Sequence, residues 1–382
     1  MFDYLAQFIQ DKYHTKSFIP LHEPRFIRDE KELVSNTIDS TFVSSVGKYV
    51  DQFEDDLAKF TGSTKAIAVV NGTSALHLSM ILADIQPGDY VITQALTFVA
   101  TCNAIHYCQA EPILIDVDKN TLGLSPTALE DWLDINAFVD SDQLCKFKNS
   151  KRLIKACIPM HTFGHPVEID ALAIICNKWN LILIEDAAES LGSLYKNTHT
   201  GTFGLMGTLS FNGNKIITTG GGGAILCNHD YYLRGKHLST TAKMANNIHF
   251  FHDEIGFNYR LPNLNAALGC AQLGSLNLFL QQKRELAADY AQLFENSNLK
   301  FFKEPKNCRS NYWLNTVLCE DQFQRDALLS FMNSKDIMAR PTWTPMNKLP
   351  MFQDAISDDL HNTSWLEERI VNIPSSPPLT SI

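Results

Sequence analysis

The chain has 382 residues, is 45% hydrophobic and 19% charged, and carries a formal net charge of −10. That balance excludes a disordered chain and describes a globular protein of about two domains, and the acidity argues against nucleic acid or an anionic membrane as a main partner. The nine cysteines are scattered without C-x-x-C spacing and there is no bilayer-length apolar run, so the expectation is a soluble, cytoplasmic protein without a secretory leader, with no disulfide framework and no metal site.

Residues 1–46 read as an arm ahead of the first domain. Short apolar runs then alternate with amphipathic stretches: strand 66–70, helix 75–84, strand 90–93, helix 99–107 and strand 112–115. Ser125-Pro126 opens the next helix, serine as N-cap and proline at the first helical position. Strand 153–159, helix 168–178 and strand 181–184 follow, the last apolar on both faces. This alternation predicts an α/β protein whose sheet is mostly parallel and covered on both sides. The longest helical pattern spans 261–294, with Pro262 near its start and small residues at Ala266, Ala267 and Gly269. Shorter α/β elements and turn clusters such as Glu304-Pro305-Lys306-Asn307 lie beyond it. The predicted division is 1–260, arm and large domain, and 261–382, a long linking helix with a smaller carboxy-terminal α/β domain.

Ligands of open α/β sheets bind beyond the carboxyl ends of the strands, and the informative residues cluster there. Asn71-Gly72-Thr73-Ser74 follows strand 66–70 and precedes a helix, so first-turn N–H groups and two hydroxyls could cradle a phosphate; a simple helix cap fits as well. Thr97-Phe98 follows strand 90–93 and offers a ring to lie against a planar cofactor. Glu185-Asp186-Ala187-Ala188-Glu189 follows strand 181–184, and Asp186 would enter a dry pocket where a carboxylate needs a cation such as a pyridinium nitrogen. The alternative for Asp186 is an N-cap. His161 follows strand 153–159, either bordering a ligand or satisfied in the core. His161 and His165 have the i, i+4 spacing of metal ligands, but Gly164 and Pro166 break the helix that would display them.

The chemistry centres on Ser210-Phe211-Asn212-Gly213-Asn214-Lys215 and the glycines Gly220 to Gly223. A lysine with few charges nearby loses its proton more easily and can attack a carbonyl, and the glycines would let the main chain approach a ligand closely. Ser210 adds a hydroxyl suited to a phosphate oxygen. A glycine-rich turn with a solvated lysine explains the same stretch. Cradle, aromatic, acid and lysine together describe a pyridoxal 5′-phosphate site with Lys215 and Asp186 as its catalytic residues. A dinucleotide fold would instead place Gly-x-Gly-x-x-Gly after an early strand, a pattern Asn71-Gly72-Thr73-Ser74 lacks.

In this order, these motifs resemble the DegT/DnrJ/EryC1/StrS family of sugar-nucleotide aminotransferases. The similarity runs from Phe42-Val43-Ser44-Ser45 through Asn258-Tyr259-Arg260-Leu261-Pro262 to Arg340-Pro341-Thr342-Trp343, and includes Ser310-Asn311-Tyr312-Trp313-Leu314. Within the family it is most similar to the LegC/PglE type, which acts in legionaminic acid or bacillosamine formation. The resemblance implies the aspartate aminotransferase fold (fold type I) and a homodimer with shared active sites. It implies that Lys215 holds the cofactor as a Schiff base, Asp186 faces the ring nitrogen, Phe98 stacks on the ring, and Glu189 lies by the 3-hydroxyl. Gly72, Thr73, Ser74 and Ser210 match phosphate-binding positions, Asn258 an asparagine reaching the phosphate from the other subunit, and His161 a histidine bordering the site. Arg340 and Trp343 are candidates for holding the nucleotide sugar. Two departures stand out: many relatives have glutamine at the Glu189 position and Gly-Glu-Gly-Gly where this chain has only glycines. The implied reaction moves an amino group from L-glutamate, leaving 2-oxoglutarate, to C4 of a UDP-linked 4-keto-6-deoxy-N-acetylglucosamine. The alternatives are a GDP-linked or other 4-keto-6-deoxy sugar, or a sugar dehydratase, in which histidine stands at the lysine position.

Overall fold

Seven strands form most of a large sheet: β1 (Lys65–Val69), β2 (Tyr90–Gln94), β3 (Glu111–Ile115), β4 (Ile154–Ile158), β5 (Ile182–Asp186), β6 (Met206–Ser210) and β7 (Gly223–Cys227). The computed structural model describes residues 2–244 and 249–378; Met1, at the head of the expected arm, residues 245–248, and the last four residues of the expected small domain lie outside the described residues. Every neighbouring pair from β6 through β5, β4 and β2 to β3 is parallel, and β7 runs antiparallel between β1 and β6. The mostly parallel sheet predicted from the alternation is therefore present.

Period-2 burial gives the sheet two apolar faces. Ala66 and Ala68 of β1 pack with Phe53 and Leu57 of helix α3 (Lys48–Thr61), while Ile67 and Val69 pack with Leu76 and Met80 of α4 (Gly72–Leu82). Earlier in the chain stand α1 (Asp3–Lys12) and α2 (Glu30–Asp39); later come α5 (Val99–Tyr107), α6 (Pro126–Asn136), α7 (Ile169–Lys178), α8 (His229–Ser239) and α9 (Asn263–Leu293). Helix α6 starts as its sequence dictates: Ser125 Oγ accepts the Ala128 N–H at 3.2 Å and Pro126 fills the first turn, where its missing N–H costs nothing. Among the described residues no helix is long and apolar enough to cross a membrane.

Helix α9, 31 residues long, spans both halves of the molecule. Its first half, with Ala267 and Leu276, covers the large sheet. Its second half packs Leu286 and Tyr290 against a second core built on the antiparallel strands β8 (Lys300–Phe301), β9 (Asn315–Leu318), β10 (Arg340–Pro341) and β12 (Ile370–Ile373). Two features differ from the sequence reading. Phe2, Leu5, Ala6, Ile9 and Ile19 of the expected arm pack into this second core rather than along the large domain, because the apolar stripe of α1 finds its partner on α9. In return the short strand β11 (Ile356–Ser357), from the carboxy-terminal half, adds to the free edge of β3 in the large sheet.

Candidate active site

The carboxyl ends of β1, β2, β4, β5 and β6 and the hairpin loop after β6 converge on a cavity of about 330 Å³. Residues from both halves of the molecule line it, among them Gly72, Thr73, Phe98, Asp186, Glu189, Ser210 and Lys215, with Trp313 and Trp343 from the carboxy-terminal half. The sequence-predicted residues thus meet in space, with exceptions given below.

Lys215 sits in the loop joining β6 to β7. The loop base is closed by Phe211 N–H to Gly222 C=O (2.8 Å) and Thr219 N–H to Phe211 C=O (3.0 Å), and Ile216 and Ile217 are buried beneath it. Those anchors leave Lys215 only the cavity to enter; its side chain is 12% exposed. The expected scarcity of nearby charge does not hold. Lys215 Nζ lies 3.1 Å from Glu189 Oε1 and 4.0 Å from the centre of the Trp313 ring. The turn after β5 brings Glu189 to the side that Asp186 faces, an arrangement that no local pattern announces.

The four glycines act otherwise than predicted: none of them lines the cavity. Gly220 takes φ +80, a left-handed turn conformation that favours glycine, and a Cβ at Gly223 would come within 2.6 Å of the Asn71 carbonyl carbon. The run lets β7 lie against the Asn71–Gly72 main chain.

Glu189 is buried. Its Oε2 accepts the Phe163 N–H at 2.9 Å, and Phe163 holds a left-handed φ of +56 to present it. Burial pushes the carboxyl up to about 7, with Lys215 pulling partly the other way. A raised folded-state value means that ionised Glu189 costs stability above its ordinary value of 4.5, with the cost growing up to about pH 7. Glu189→Gln is therefore expected to stabilise the ligand-free protein by about 1–3 kcal/mol above pH 7, with the gain vanishing towards pH 4.5. Urea melts of both proteins at pH 5 and pH 8 check this; a destabilised glutamine variant at pH 8 would reverse the assignment.

Asp186 ends β5 on the same side as Ile184, while Glu185 points to the opposite face. Its carboxylate accepts Thr101 Oγ1–H at 2.7 Å and Ala188 N–H at 3.2 Å, and among the described residues Lys215 and His161 act on it only from beyond ion-pair distance. Burial raises its carboxyl value despite those bonds. A carboxylate so placed calls for a cation from a ligand.

Gly72, Thr73 and Ser74 form the first turn of α4, and the residue before them caps the helix. Asn71 Oδ1 accepts the Ser74 N–H at 2.7 Å and caps α4, a contact worth about 1 kcal/mol, so the capping role falls to neither Thr73 nor Ser74. A Cβ at Gly72 would stand 2.9 Å from Ser210 Cβ. Glycine there lets the Ser210 hydroxyl sit beside the first turn of the helix. Thr73 and Ser210 line the cavity; Ser74 lies just behind, largely buried.

Phe98, 46% exposed, lies with its ring centre 6.1 Å from that of Trp343, which also packs on Phe163 at 4.9 Å. His161 is not on the cavity wall: its Nδ1 accepts the Val167 N–H (3.2 Å), so Nε2 carries the proton and donates to Glu185 Oε2 (3.0 Å) in the core. His165 lies apart between Phe302 and Tyr312. Arg340 is exposed beyond the cavity, near Asn333 Oδ1 and the Ala339 C=O, each at 3.3 Å. Asn258 is exposed as well, with Oδ1 3.3 Å from Arg260 Nε. Trp313 is the contact that sequence reasoning passed over: Ser310-Asn311-Tyr312-Trp313 stood out as a motif, but nothing local ties it to a lysine 98 positions earlier.

Comparison with known proteins follows the same lines. The model of the DegT/DnrJ/EryC1/StrS aminotransferase family matches residues 24–381. The chain is similar to a GDP-perosamine synthase of Escherichia coli O157:H7, 36% identical over 95% of this chain and 95% of the relative. It is also similar to EpsN of Bacillus subtilis (strain 168), assigned as a pyridoxal-phosphate-dependent aminotransferase, 35% identical over 95% of this chain and 92% of the relative. Among solved structures it resembles the aminotransferase TlmJ of Streptoalloteichus hindustanus, with TM-score 0.85 and 25% identity over 96% of this chain and 95% of that one.

Proposed function

The chain belongs to the DegT/DnrJ/EryC1/StrS aminotransferase family and is a pyridoxal-phosphate-dependent aminotransferase of fold type I; from that premise we propose that it transfers the amino group of L-glutamate to the C4 ketone of a nucleotide-linked 4-keto-6-deoxy sugar. The observation that carries the reading is one cavity holding the Lys215 amine, the unpaired Asp186 carboxylate and the first turn of α4. These residues fit the cofactor: a buried carboxylate without a cation matches a protonated ring nitrogen, and a glycine-cleared helix start beside a serine hydroxyl matches a phosphate.

Bound pyridoxal phosphate supplies an electron sink for the carbanion formed when the amino donor's Cα loses its proton. Lys215 Nζ would hold the cofactor and then, once freed, take up that proton and return it. Asp186 would keep the ring nitrogen protonated. Glu189, 3.1 Å from Nζ, would hold the ammonium in place between these steps. Phe98 would bound the ring and Trp343 the sugar. A cavity of about 330 Å³ is near the lower end of small-molecule sites, roughly 300–1,000 Å³, so the nucleotide would lie outside it, towards Arg340. Asn258, exposed and away from its own cavity, suits a residue that completes the site of a second copy, and a homodimer with shared sites is part of the proposal. So is a cytoplasmic location, and so are partners confined to small molecules, with neither nucleic acid nor membrane among them.

The motifs shared with the LegC/PglE type favour a UDP-linked N-acetylglucosamine derivative and a role in legionaminic acid or bacillosamine formation. The similarity to GDP-perosamine synthase favours a GDP carrier. Offering UDP- and GDP-linked 4-keto-6-deoxy sugars with ¹⁵N-glutamate distinguishes them. The expected product carries ¹⁵N at C4 by mass and NMR; absence of amination with every carrier sinks the proposal.

A further inference from the structure

Trp313 and Glu189 both touch Lys215 Nζ, and both are tied to one fully buried side chain. Asn311 Nδ2 donates to the Glu189 C=O and the Leu191 C=O, each at 2.9 Å, and its Oδ1 accepts the Trp313 N–H at 2.8 Å. The amide thereby uses both its donors and its acceptor. Room for it exists because residue 164 is glycine: a Cβ there would sit 1.9 Å from Asn311 Oδ1. The preceding residue is Phe163, whose N–H holds the Glu189 carboxylate. From its other side Trp313 is held by Lys283, also fully buried, whose Nζ donates to the Trp313 C=O at 3.2 Å and to the Ser375 C=O. Among the described residues Lys283 bonds only these two carbonyls, and burial favours its neutral amine, which has two N–H groups for them. The indole N–H then donates to the Asn214 C=O at 2.7 Å, next to Lys215 in the chain.

We propose that Asn311 and Lys283 form a buried frame that positions Lys215 for amino transfer, by fixing Trp313 from its two main-chain sides and Glu189 from its carbonyl. Neither residue touches the reacting atoms; both act through groups that do. The proposal rests on the reading of Lys215 as the cofactor-bearing lysine. A purely structural role would show in stability alone, since buried carbonyls need partners wherever they lie.

The test uses Asn311→Asp and Lys283→Met in the full chain, with and without pyridoxal phosphate. The expected result is a fall in kcat of about 10- to 100-fold, with KM for glutamate changed by less than about threefold, because a small misplacement of a reacting group costs rate rather than binding. In the cofactor-free protein, acylation of Lys215 by acetic anhydride, read by peptide mass spectrometry, is expected to quicken severalfold as the amine escapes its two contacts. If both variants keep kcat and Lys215 acylation within about twofold of wild type, whatever their melting temperatures, the frame is structural and the proposal fails. Should Asn311→Asp not fold, Lys283→Met decides the matter alone by the same two readouts. Borohydride reduction of the loaded wild type separates the two levels: cofactor found elsewhere than on Lys215 overturns the underlying reading as well.

Discussion

Lys215→Ala is expected to abolish turnover, by at least about 10⁴-fold, and to leave the protein colourless after dialysis against cofactor-free buffer. Among the described residues Lys215 is the only amine lining the cavity, so no other amine there can take its proposed place on the cofactor aldehyde. The substitution also removes the cation beside Glu189, 3.1 Å away. That loss is tolerable, because burial already pushes the Glu189 carboxyl up to about 7 and without the ammonium it takes up a proton more readily. The variant should therefore fold, which keeps the experiment clean. Absorbance spectra and steady-state rates check it; a dialysed variant that stays yellow and active would remove Lys215 from the mechanism.

Asp186→Asn is expected to cost about 10²–10³-fold in kcat while making the cofactor-free protein more stable at neutral pH. The two effects have one origin. Burial raises the Asp186 carboxyl above its ordinary value, so at neutral pH the ionised group costs folding energy that the Thr101 and Ala188 contacts offset only in part. The sign is that of any acid raised on folding: the penalty is absent below the unfolded-state value and grows as pH rises through the folded one. Asparagine keeps the shape and removes the charge, and with it the group that would hold a proton on the ring nitrogen. Thermal melts at pH 7 without cofactor, set beside kcat with cofactor, measure both arms. A variant that melts lower and keeps its rate would show that Asp186 serves the fold and not the chemistry.

Much of the sheet was legible because its signals are local. The apolar run 181–184, short and rich in isoleucine and leucine between turn residues, signals the strand found at Ile182–Asp186, and Ser125-Pro126 starts α6 by its own hydrogen bonding and ring geometry. Cavity-lining residues were legible for a related reason: Thr73, Phe98, Asp186 and Ser210 each lie at or just beyond the carboxyl end of a strand, and parallel strands bring those ends to one edge. The chemistry expected of each could then be read from its residue type.

The amino-acid sequence by itself thus determined the period, the Ser125 cap and, to within a residue or two, where the strands lie, since these depend on neighbours within a few residues. Only the tertiary structure decided what those ends face. Glu189 reaches a lysine 26 residues away, and the Trp313 indole a carbonyl 99 residues away. It also placed the first helix in the second core, put β11 on the edge of the large sheet, and turned the glycine run towards its own main chain rather than a ligand. The physical reason is common to all of these: burial and hydrogen-bond satisfaction are decided by whichever surfaces meet when the chain closes on itself, and local pattern records only that a partner is needed.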